Sequence, residues 1–488
     1  MSIDLSLERL RSFLQHLPTK FQRPTIHIAG TNGKGSVSAI VSSILLSTSP
    51  RLRVGRFNSP HLTKITDCIT IDNEPVDDET YHGIRTRIET LSRDSGASLT
   101  PFEVLTLTAL QIFESSRVDV AVIEVGMGGR LDATNIIPTE YILVSALTTV
   151  DLDHQQFLGS TIEDVAREKL GIARQGKPLV LGHQRHPSVE LLAKEVLHSV
   201  GAMLERPVPV SELHFDANVA ISLRTNAVKT IPSRHVEFTL PALGSGSMSA
   251  PFPLSGDHQL SNLSTALGIV DSLIRSAQFQ ISADAVTKGI SHIQWKGRLS
   301  WHTLNLDTQG SLNHPILVDG AHNAGSSQAL AKYINQTIST FQLNNVHLHY
   351  ILALSHSPTK PPSETLSPIL MNLPSAISAV NVATVEFTPP DQMPWVQPVP
   401  AQDVEEAVKV LAPLARVWSS GNGSIQGSVN TGLTSAFSWV ASNIRDADLV
   451  ATPPPNRPHH LVALAGSLYL VADFYRVLEG EGGLAGLL

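Results

Sequence analysis

The sequence predicts an α/β fold in which parallel strands alternate with helices, and three stretches of the chain carry this prediction. Residues 25–37 read as a short apolar strand, a glycine-rich turn and the start of a helix. Residues 118–125 form a nearly continuous apolar run, which is typical of a buried parallel strand. Residues 315–323 repeat the pattern of a strand followed by a polar loop. Their wide spacing indicates two α/β domains, and we place the boundary after Leu299.

The composition is that of a globular chain with a modest acidic balance. At 488 residues, there is room for about two to four domains. A net charge of −8 gives no support for nucleic-acid or anionic-membrane binding. The single cysteine, Cys68, excludes an intrachain disulfide and a multi-cysteine metal site. With no signal peptide and no membrane span expected, we predict a cytoplasmic protein and leave a mitochondrial form open.

The glycine-rich turn in residues 25–37 predicts a phosphate-binding loop. Gly30, Gly33 and Gly35 let backbone N–H groups converge on a phosphate, and Lys34 adds a positive charge at the start of the next helix. The hydroxyl that usually follows the lysine comes one residue late, at Ser36. Glycines of this kind also occur for purely steric reasons, so this alternative stays open.

Polar residues follow the buried run 118–125. Glu124 lies near its carboxyl end, where a carboxylate can bind Mg²⁺ beside phosphate, or can simply cap a helix. Residues 126–135 then supply three glycines and several polar side chains, including Asp132. They read as a binding loop, or as a tight turn that ends in an N-capping residue.

The next predicted strand, 141–147, leads to His154 and two neighbouring aspartates. Since this is the sheet edge where Glu124 also emerges, His154 is either a metal ligand or an ordinary surface or capping group.

The helix predicted over 161–173 carries one unusual charge. It opens with the capping-box spacing of Ser160 and Glu163. Lys169 falls in the middle of its apolar stripe, away from the other charged side chains of the helix. An inward lysine can snorkel to the surface, or it can serve chemistry.

Further elements are predicted along the chain. We expect helices over 5–17 and 102–113, a loop over 56–62 and a strand over 65–71 that holds a structural Cys68. A helix from about Asp257 places His258 and Asn262 on one face, a spacing that usually gives only local stabilisation. In the second domain, Asp319 at a strand end and His322 in the loop repeat the sheet-edge arrangement of the first.

Taken together, these motifs resemble the folylpolyglutamate synthase and dihydrofolate synthase family, relatives of the Mur peptide ligases. Eight of them occur in family order: GTNGKGS at 30–36, SPHL at 59–62, EVGMGGRLDATN at 124–135, LDH at 152–154, AREKLGI at 166–172, GDHQLSN at 256–262, WKGRL at 295–299 and DGAHN at 319–323. GSLYLV at 466–471 extends the resemblance almost to the carboxyl terminus.

The resemblance implies an N-terminal P-loop Mur ligase domain over residues 1–299 and a smaller Rossmann-like α/β domain over 300–488. It implies an ATP-dependent amide-bond ligase that activates a carboxylate as an acyl phosphate and joins it to L-glutamate. ATP and Mg²⁺ would be required, with a monovalent cation as a further candidate. The expected partners are small molecules alone, with no nucleic acid and no membrane, and the expected state is a monomer.

The resemblance also assigns site residues. Those matched to ATP contacts are Asn32, Gly33, Lys34, Gly35, Ser36, Asn262, Arg298 and Asp319. Those matched to metal ligands are Ser59, Glu124 and His154. Those matched to the pterin pocket are Thr100, Pro101, Phe102, Glu103, Leu131, Asp132 and Ala133. Catalytic roles are implied for Lys34, for Lys169, which matches a lysine that is carbamylated in this family, and for His322, which could orient a phosphate or take a proton.

The predicted activity is dihydrofolate synthase, the addition of the first glutamate to dihydropteroate. Eukaryotic polyglutamating members tend to carry Lys where Asn32 stands and a different run where residues 130–133 stand. At both places this chain resembles fungal dihydrofolate synthases and bacterial bifunctional enzymes. The alternatives are a folylpolyglutamate synthase, a bifunctional enzyme, or a nucleotide-binding regulatory protein without ligase chemistry.

Overall fold

The computed structural model describes residues 7–213, 234–305, 313–357, 361–390, 393, 396–422, 429–450 and 457–479. They divide into two compact units. The first contains residues 7–213, 234–253 and 258–294, and the second contains residues 254–257 and the described chain from 295 onward. The domain boundary expected after Leu299 stays a prediction. Across the described chain, no helix combines the length and the apolar character that crossing a bilayer requires.

The first unit is built on a sheet of eight strands. In chain order these are β1 (Thr25–Ala29), β2 (Val54–Phe57), β3 (Ile69–Ile71), β4 (Glu74–Pro75), β5 (Val120–Glu124), β6 (Ile142–Leu147), β7 (Pro178–Leu181) and β8 (Met203–Glu205). Their spatial order is β4-β3-β2-β5-β1-β6-β7-β8. All neighbours are parallel except β2/β3 and β3/β4. The central position of β1 places the glycine-rich turn between the carboxyl ends of β5 and β6.

Helices cover both faces of this sheet. They are α1 (Glu8–Phe13), α2 (Lys34–Leu46), α3 (Asp78–Asp94), α4 (Pro101–Ser115), α5 (Gln155–Leu158), α6 (Ile162–Leu170) and α7 (Pro187–Val200). One core packs α1, α3 and α4 against the sheet through side chains such as Phe13, Tyr81 and Phe113. A second core packs α6 and α7 through Leu170 and Val189. The predicted α/β class is confirmed.

The rest of the first unit adds a small antiparallel sheet and two helices. The sheet has the order β11-β10-β9, from β9 (Val210–Leu213), β10 (Arg234–Phe238) and β11 (Met248–Phe252). The helices are α8 (Asp257–Arg275), which begins where the sequence predicted, and α9 (Ala283–Ser291). Ser43 on α2 donates to the carbonyl of Gly289 on α9 at 2.7 Å, so α9 fixes the helix that follows the glycine-rich turn.

Two predicted elements differ locally. Residues 65–68 form a 3₁₀ turn, because Asp67 Oδ2 accepts from the backbone N–H of Thr63 at 2.8 Å and of Lys64 at 2.9 Å. Only Ile69–Ile71 of the predicted strand 65–71 pairs as β3. Arg56 and Phe57, predicted as loop, are the end of β2.

The capping box of α6 lies one residue later than predicted. Thr161 Oγ1 accepts from the backbone N–H of Asp164 at 3.1 Å, and Asp164 Oδ2 accepts from the N–H of Thr161 at 3.3 Å. The sequence offers two overlapping pairs at the same spacing, and the structure uses the second instead of Ser160 and Glu163.

The second unit has a six-stranded sheet of order β12-β13-β17-β14-β15-β16, parallel except at β12/β13. The strands are β12 (Ser300–Asn305), β13 (Asn313–Val318), β14 (Val346–Leu352), β15 (Ile377–Thr384), β16 (Arg416–Ser419) and β17 (His459–Ala465). The helices are α10 (Ala324–Thr340), α11 (Pro362–Leu370), α12 (Ala401–Leu411), α13 (Val429–Val450) and α14 (Leu468–Leu478). Leu330, Leu366 and Val404 from α10, α11 and α12 pack on one face of the sheet.

A group of buried histidines lies at the amino-terminal ends of three of these strands. His349 Nε2 is 3.0 Å from His460 Nδ1, and His460 Nε2 is 3.4 Å from Asp448 Oδ1 on α13. Burial lowers the pKa of His460 to about 4 and the pKa of His349 well below its usual value, and the neighbouring imidazoles His314 and His347 add to both shifts. These imidazoles are therefore neutral at pH 7.

Candidate active site

The glycine-rich turn between β1 and α2 is shaped around two close contacts. At Gly33 the φ angle is +96°, and a Cβ there would lie 2.2 Å from Asn262 Oδ1. At Gly30 a Cβ would lie 1.8 Å from Thr148 Oγ1. Neither position accepts a side chain in this backbone, because both sterics and conformation exclude it. Asn262, predicted to contact ATP from a distant part of the sequence, packs directly on the turn.

Two lysines converge on one carbonyl oxygen of this turn. Lys34 Nζ donates to Gly30 O at 3.1 Å and to Thr31 O at 3.4 Å. Lys169 Nζ donates to the same Gly30 O at 3.1 Å. Lys169 is only 3% exposed, and burial together with the charge of Lys34 lowers its pKa to about 7. The inward position that the helix pattern predicted for Lys169 is therefore directed at the turn.

Glu124 adds a carboxylate to the same place. It pairs with Ile28 in the β1/β5 register, so it emerges beside the start of the turn. Its Oε1 lies 3.7 Å from Lys34 Nζ, and its Oε2 accepts from Asn58 Nδ2 at 2.7 Å. Arg56 contributes further positive charge. Burial lowers its pKa to about 10, and the charge of Glu124 partly offsets that shift, so the guanidinium stays protonated at pH 7.

Asn58 and Arg56 are the site residues that the sequence interpretation missed. Both were assigned to a loop, but Arg56 is the third residue of β2, and Asn58 directly follows this strand, which lies beside β5. The short alternation of Val54 to Phe57 before the Ser-Pro pair was the available signal for this strand.

The three predicted metal ligands come from the carboxyl ends of neighbouring strands. Ser59 follows β2, Glu124 ends β5, and His154 lies in the loop after β6, with β1 between the last two. His154 adopts a left-handed conformation with φ of 52° at the start of α5. In the described part of the chain, no group of three or more His, Cys, Asp and Glu side chains could hold a metal ion. The predicted set includes only two such side chains, so this finding leaves it as a prediction.

The two carboxylates of the predicted pterin-pocket segments hold the local structure together. Glu103 accepts from Arg9 Nη2 at 2.9 Å and from the backbone N–H of Thr100 at 2.7 Å, which caps α4 and fixes α1. Asp132 accepts from Thr134 Oγ1 at 2.6 Å and from the N–H of Met127 at 2.9 Å. Burial raises the pKa of Asp132.

The other members of these two segments lie nearby. Thr100 is the N-cap of α4, and Pro101 is its first residue. A Cβ on Gly126 would lie 2.2 Å from the Phe102 ring, so the glycine loop and α4 approach closely. Ala133 is buried at 5% exposure and Leu131 is half-buried. Contact of these residues with a substrate stays a prediction.

The second unit places its predicted residues at the carboxyl end of β13. Asp319 accepts from the backbone N–H of Leu299 and of Ala321, both at 2.8 Å. Burial raises its pKa to about 6, against the opposing charge of Arg298. His322 Nδ1 lies 2.8 Å from the carbonyl oxygen of Gly320, so the neutral ring carries its proton on Nδ1.

Comparison with known proteins gives a consistent result. The Mur ligase middle domain matches residues 28–270, and the C-terminal domain of dihydrofolate synthetase matches residues 302–477. Dihydrofolate synthetase of Saccharomyces cerevisiae is 33% identical over 411 residues, which cover 84% of this chain and 87% of the yeast protein.

Solved structures extend the likeness to nearly the whole chain. Mycobacterium tuberculosis folylpolyglutamate synthase, complexed with ADP and AMPPCP, superposes with a TM-score of 0.72 at 26% identity, over 97% of this chain and 95% of that one. The bifunctional folylpolyglutamate synthase/dihydrofolate synthase of Yersinia pestis, complexed with AMPPNP and Mn ion, gives a TM-score of 0.68 at 25% identity, over 98% and 95%.

Proposed function

The chain belongs to the dihydrofolate synthetase family, and on that premise we propose that it is an ATP-dependent ligase that joins dihydropteroate to L-glutamate. The observation that carries this proposal is the convergence of Lys34 and Lys169 on the carbonyl of Gly30, with the carboxylate of Glu124 beside Lys34. The positive charge of the two lysines at a glycine turn suits the binding of a nucleotide triphosphate, and the carboxylate suits a divalent cation beside it.

The first half of the reaction forms an acyl phosphate. A carboxylate oxygen of dihydropteroate attacks the γ-phosphorus of ATP, and the bond to the ADP oxygen breaks. The turn of residues 30–36 holds the phosphates, and Lys34 stabilises the negative charge that is transferred. Glu124, Ser59 and His154 would hold Mg²⁺, which when bound would offset the charge on the phosphoryl oxygens. No covalent protein intermediate is needed, since positioning and charge neutralisation suffice.

The second half forms the amide. The amine of L-glutamate attacks the acyl carbon, a proton leaves the nitrogen, and phosphate departs. We assign the nucleotide contacts of the second unit to Arg298 and Asp319. His322 has its proton on Nδ1, so its Nε2 is the ring atom that can accept a proton from the glutamate amine.

We further propose that Lys169 works as a carbamate. Burial and the repulsion between the ammonium groups of Lys169 and Lys34 lower the pKa of Lys169 to about 7. Addition of CO₂ to the neutral amine replaces that repulsion by attraction and provides an anion that can orient a cation. The product is a carbamate and one proton.

Polyglutamation is the second candidate activity. It is favoured by the similarity to Mycobacterium tuberculosis folylpolyglutamate synthase, which covers 97% of this chain. Dihydrofolate synthesis ranks first because the matched C-terminal family and the yeast relative carry that name.

We also propose that the protein is a monomer of the cytoplasm. The single cysteine suits a reducing compartment, and a mitochondrial form is the alternative.

The test incubates the purified protein with Mg-ATP, L-glutamate and either dihydropteroate or tetrahydrofolate, and measures ADP and the pterin product. Turnover of dihydropteroate supports the proposal. Turnover of tetrahydrofolate alone reverses the ranking of the two activities. ATP binding without glutamate-dependent ADP release would indicate a nucleotide-binding regulatory protein instead.

A further inference from the structure

Asn58 connects the phosphate loop, the glycine-rich turn of residues 30–36, to the predicted metal ligand Glu124. Its side chain is 7% exposed, and its backbone N–H donates to Cys68 O at 2.9 Å, which fixes the residue after β2. The single amide nitrogen Nδ2 lies 2.7 Å from Ser38 Oγ and 2.7 Å from Glu124 Oε2. A carboxamide has two N–H groups, so both hydrogen bonds are made at once.

The hydrogen bond from Asn58 to Ser38 continues to the glycine-rich turn. Ser38 Oγ donates to Gly35 O at 2.8 Å, and it accepts from Asn58 in return. Ser38 is fully buried on α2, so water does not compete for this bond. The phosphate loop, the end of β2 and the end of β5 are therefore tied together through one amide, although Ser38, Asn58 and Glu124 are far apart in sequence.

The same contact sets the orientation of the Glu124 carboxylate. Asn58 engages Oε2, while Oε1 faces Lys34 Nζ at 3.7 Å. Rotation of the carboxylate would break the bond to Asn58. Hydrogen bonds of this kind to a metal-binding side chain fix its geometry, and their loss typically weakens metal binding.

We propose that Asn58 is a positioning residue, which holds Glu124 so that Oε1 is presented to a divalent cation at the phosphate loop. This inference rests on the proposed function, since it requires that Glu124 binds the cation. An aspartate at position 58 would repel Glu124, and a leucine of similar size would fill the space without donating to it.

The test measures Mn²⁺ binding by electron paramagnetic resonance, with ADP present and no folate or glutamate. Asn58→Leu should weaken Mn²⁺ binding by about ten- to a hundredfold. ADP binding measured in EDTA should stay unchanged, because the phosphate loop keeps its own contacts. A folded Asn58→Leu protein, verified by urea unfolding, that binds Mn²⁺ like the wild type would overturn the inference.

Two serines provide a matched pair if Asn58→Leu does not fold. Ser38→Ala removes the anchor of Asn58 and should weaken Mn²⁺ binding by about two- to tenfold. Ser42, one turn along α2, is also fully buried, but its Oγ has no hydrogen-bond partner within the described residues. Ser42→Ala should leave Mn²⁺ binding unchanged, and equal effects of the two substitutions would refute the positioning role.

A wild-type protein that binds ADP but no Mn²⁺ would contradict the metal step of the proposed function itself.

Discussion

Carbon dioxide and pH together should decide whether Lys169 carries a carbamate. Only a neutral amine reacts with CO₂, and the pKa of Lys169 is lowered to about 7. The neutral fraction is then about a tenth at pH 6, half at pH 7 and nine tenths at pH 8. An unperturbed lysine at pH 7 is neutral to only about 0.03%, so Lys169 is on the order of a thousandfold readier to react.

The assay follows the carbamate carbon by NMR in ¹³C-bicarbonate at pH 8 and at pH 6. Beyond any carbamate that the α-amino group forms, a signal of Lys169 is expected at pH 8, weaker at pH 6, and absent in Lys169→Ala. Lys194→Ala removes an exposed lysine of α7 and should keep the signal. Glutamate-dependent ADP release should fall in CO₂-depleted buffer and recover when bicarbonate is added.

A wild type with no carbamate signal beyond that of the α-amino group at pH 8 in saturating bicarbonate would refute carbamylation of Lys169, and so would a Lys169→Ala protein that retains the additional signal. Lys34→Ala offers an independent check. Loss of the neighbouring ammonium should raise the pKa of Lys169, because the repulsion that lowers it is removed. The carbamate signal should then decrease at pH 7.

Three further predictions concern the loop and the histidines. Lys34→Ala should cost about 2–4 kcal/mol of transition-state stabilisation, or about thirty- to a thousandfold in kcat/KM, and unchanged turnover would contradict the role of Lys34. Gly33→Ala should weaken ATP binding measured by calorimetry, whereas Gly83→Ala, where a Cβ meets nothing within 4 Å, should not. The lowered pKa values of His349 and His460 mean that these groups bind fewer protons in the folded state than in the unfolded state. The free energy of unfolding, measured in urea, should therefore be greatest above about pH 6.5 and should fall between pH 6.5 and 4. A flat profile would contradict this.

Local patterns predicted the elements that carry the chemistry. Three features depend on residues that are close together in sequence, and the structure has all three: the buried strand β5, the turn before α2 and the inward-pointing side chain of Lys169. The contacts of Asn58 with Ser38 and Glu124 span 20 and 66 residues, so no local period could reveal them. The same limit applies to Glu103, whose pairing with Arg9 spans 94 residues.

The balance of buried charge implies that carbamylation and metal binding depend on each other. With a plain ammonium at Lys169, the site has the cations Lys34, Arg56 and Lys169, and the carboxylates whose charges act on them are Glu124, Asp132 and Asp153. That ammonium repels a divalent cation that enters the group. A carbamate replaces one positive charge by a negative charge, which favours a metal ion that arrives with phosphate. Bicarbonate at pH 8 should therefore tighten Mn²⁺ binding in the presence of ADP, and the effect should vanish in Lys169→Ala. Equal Mn²⁺ affinity with and without bicarbonate would show that the two events are independent.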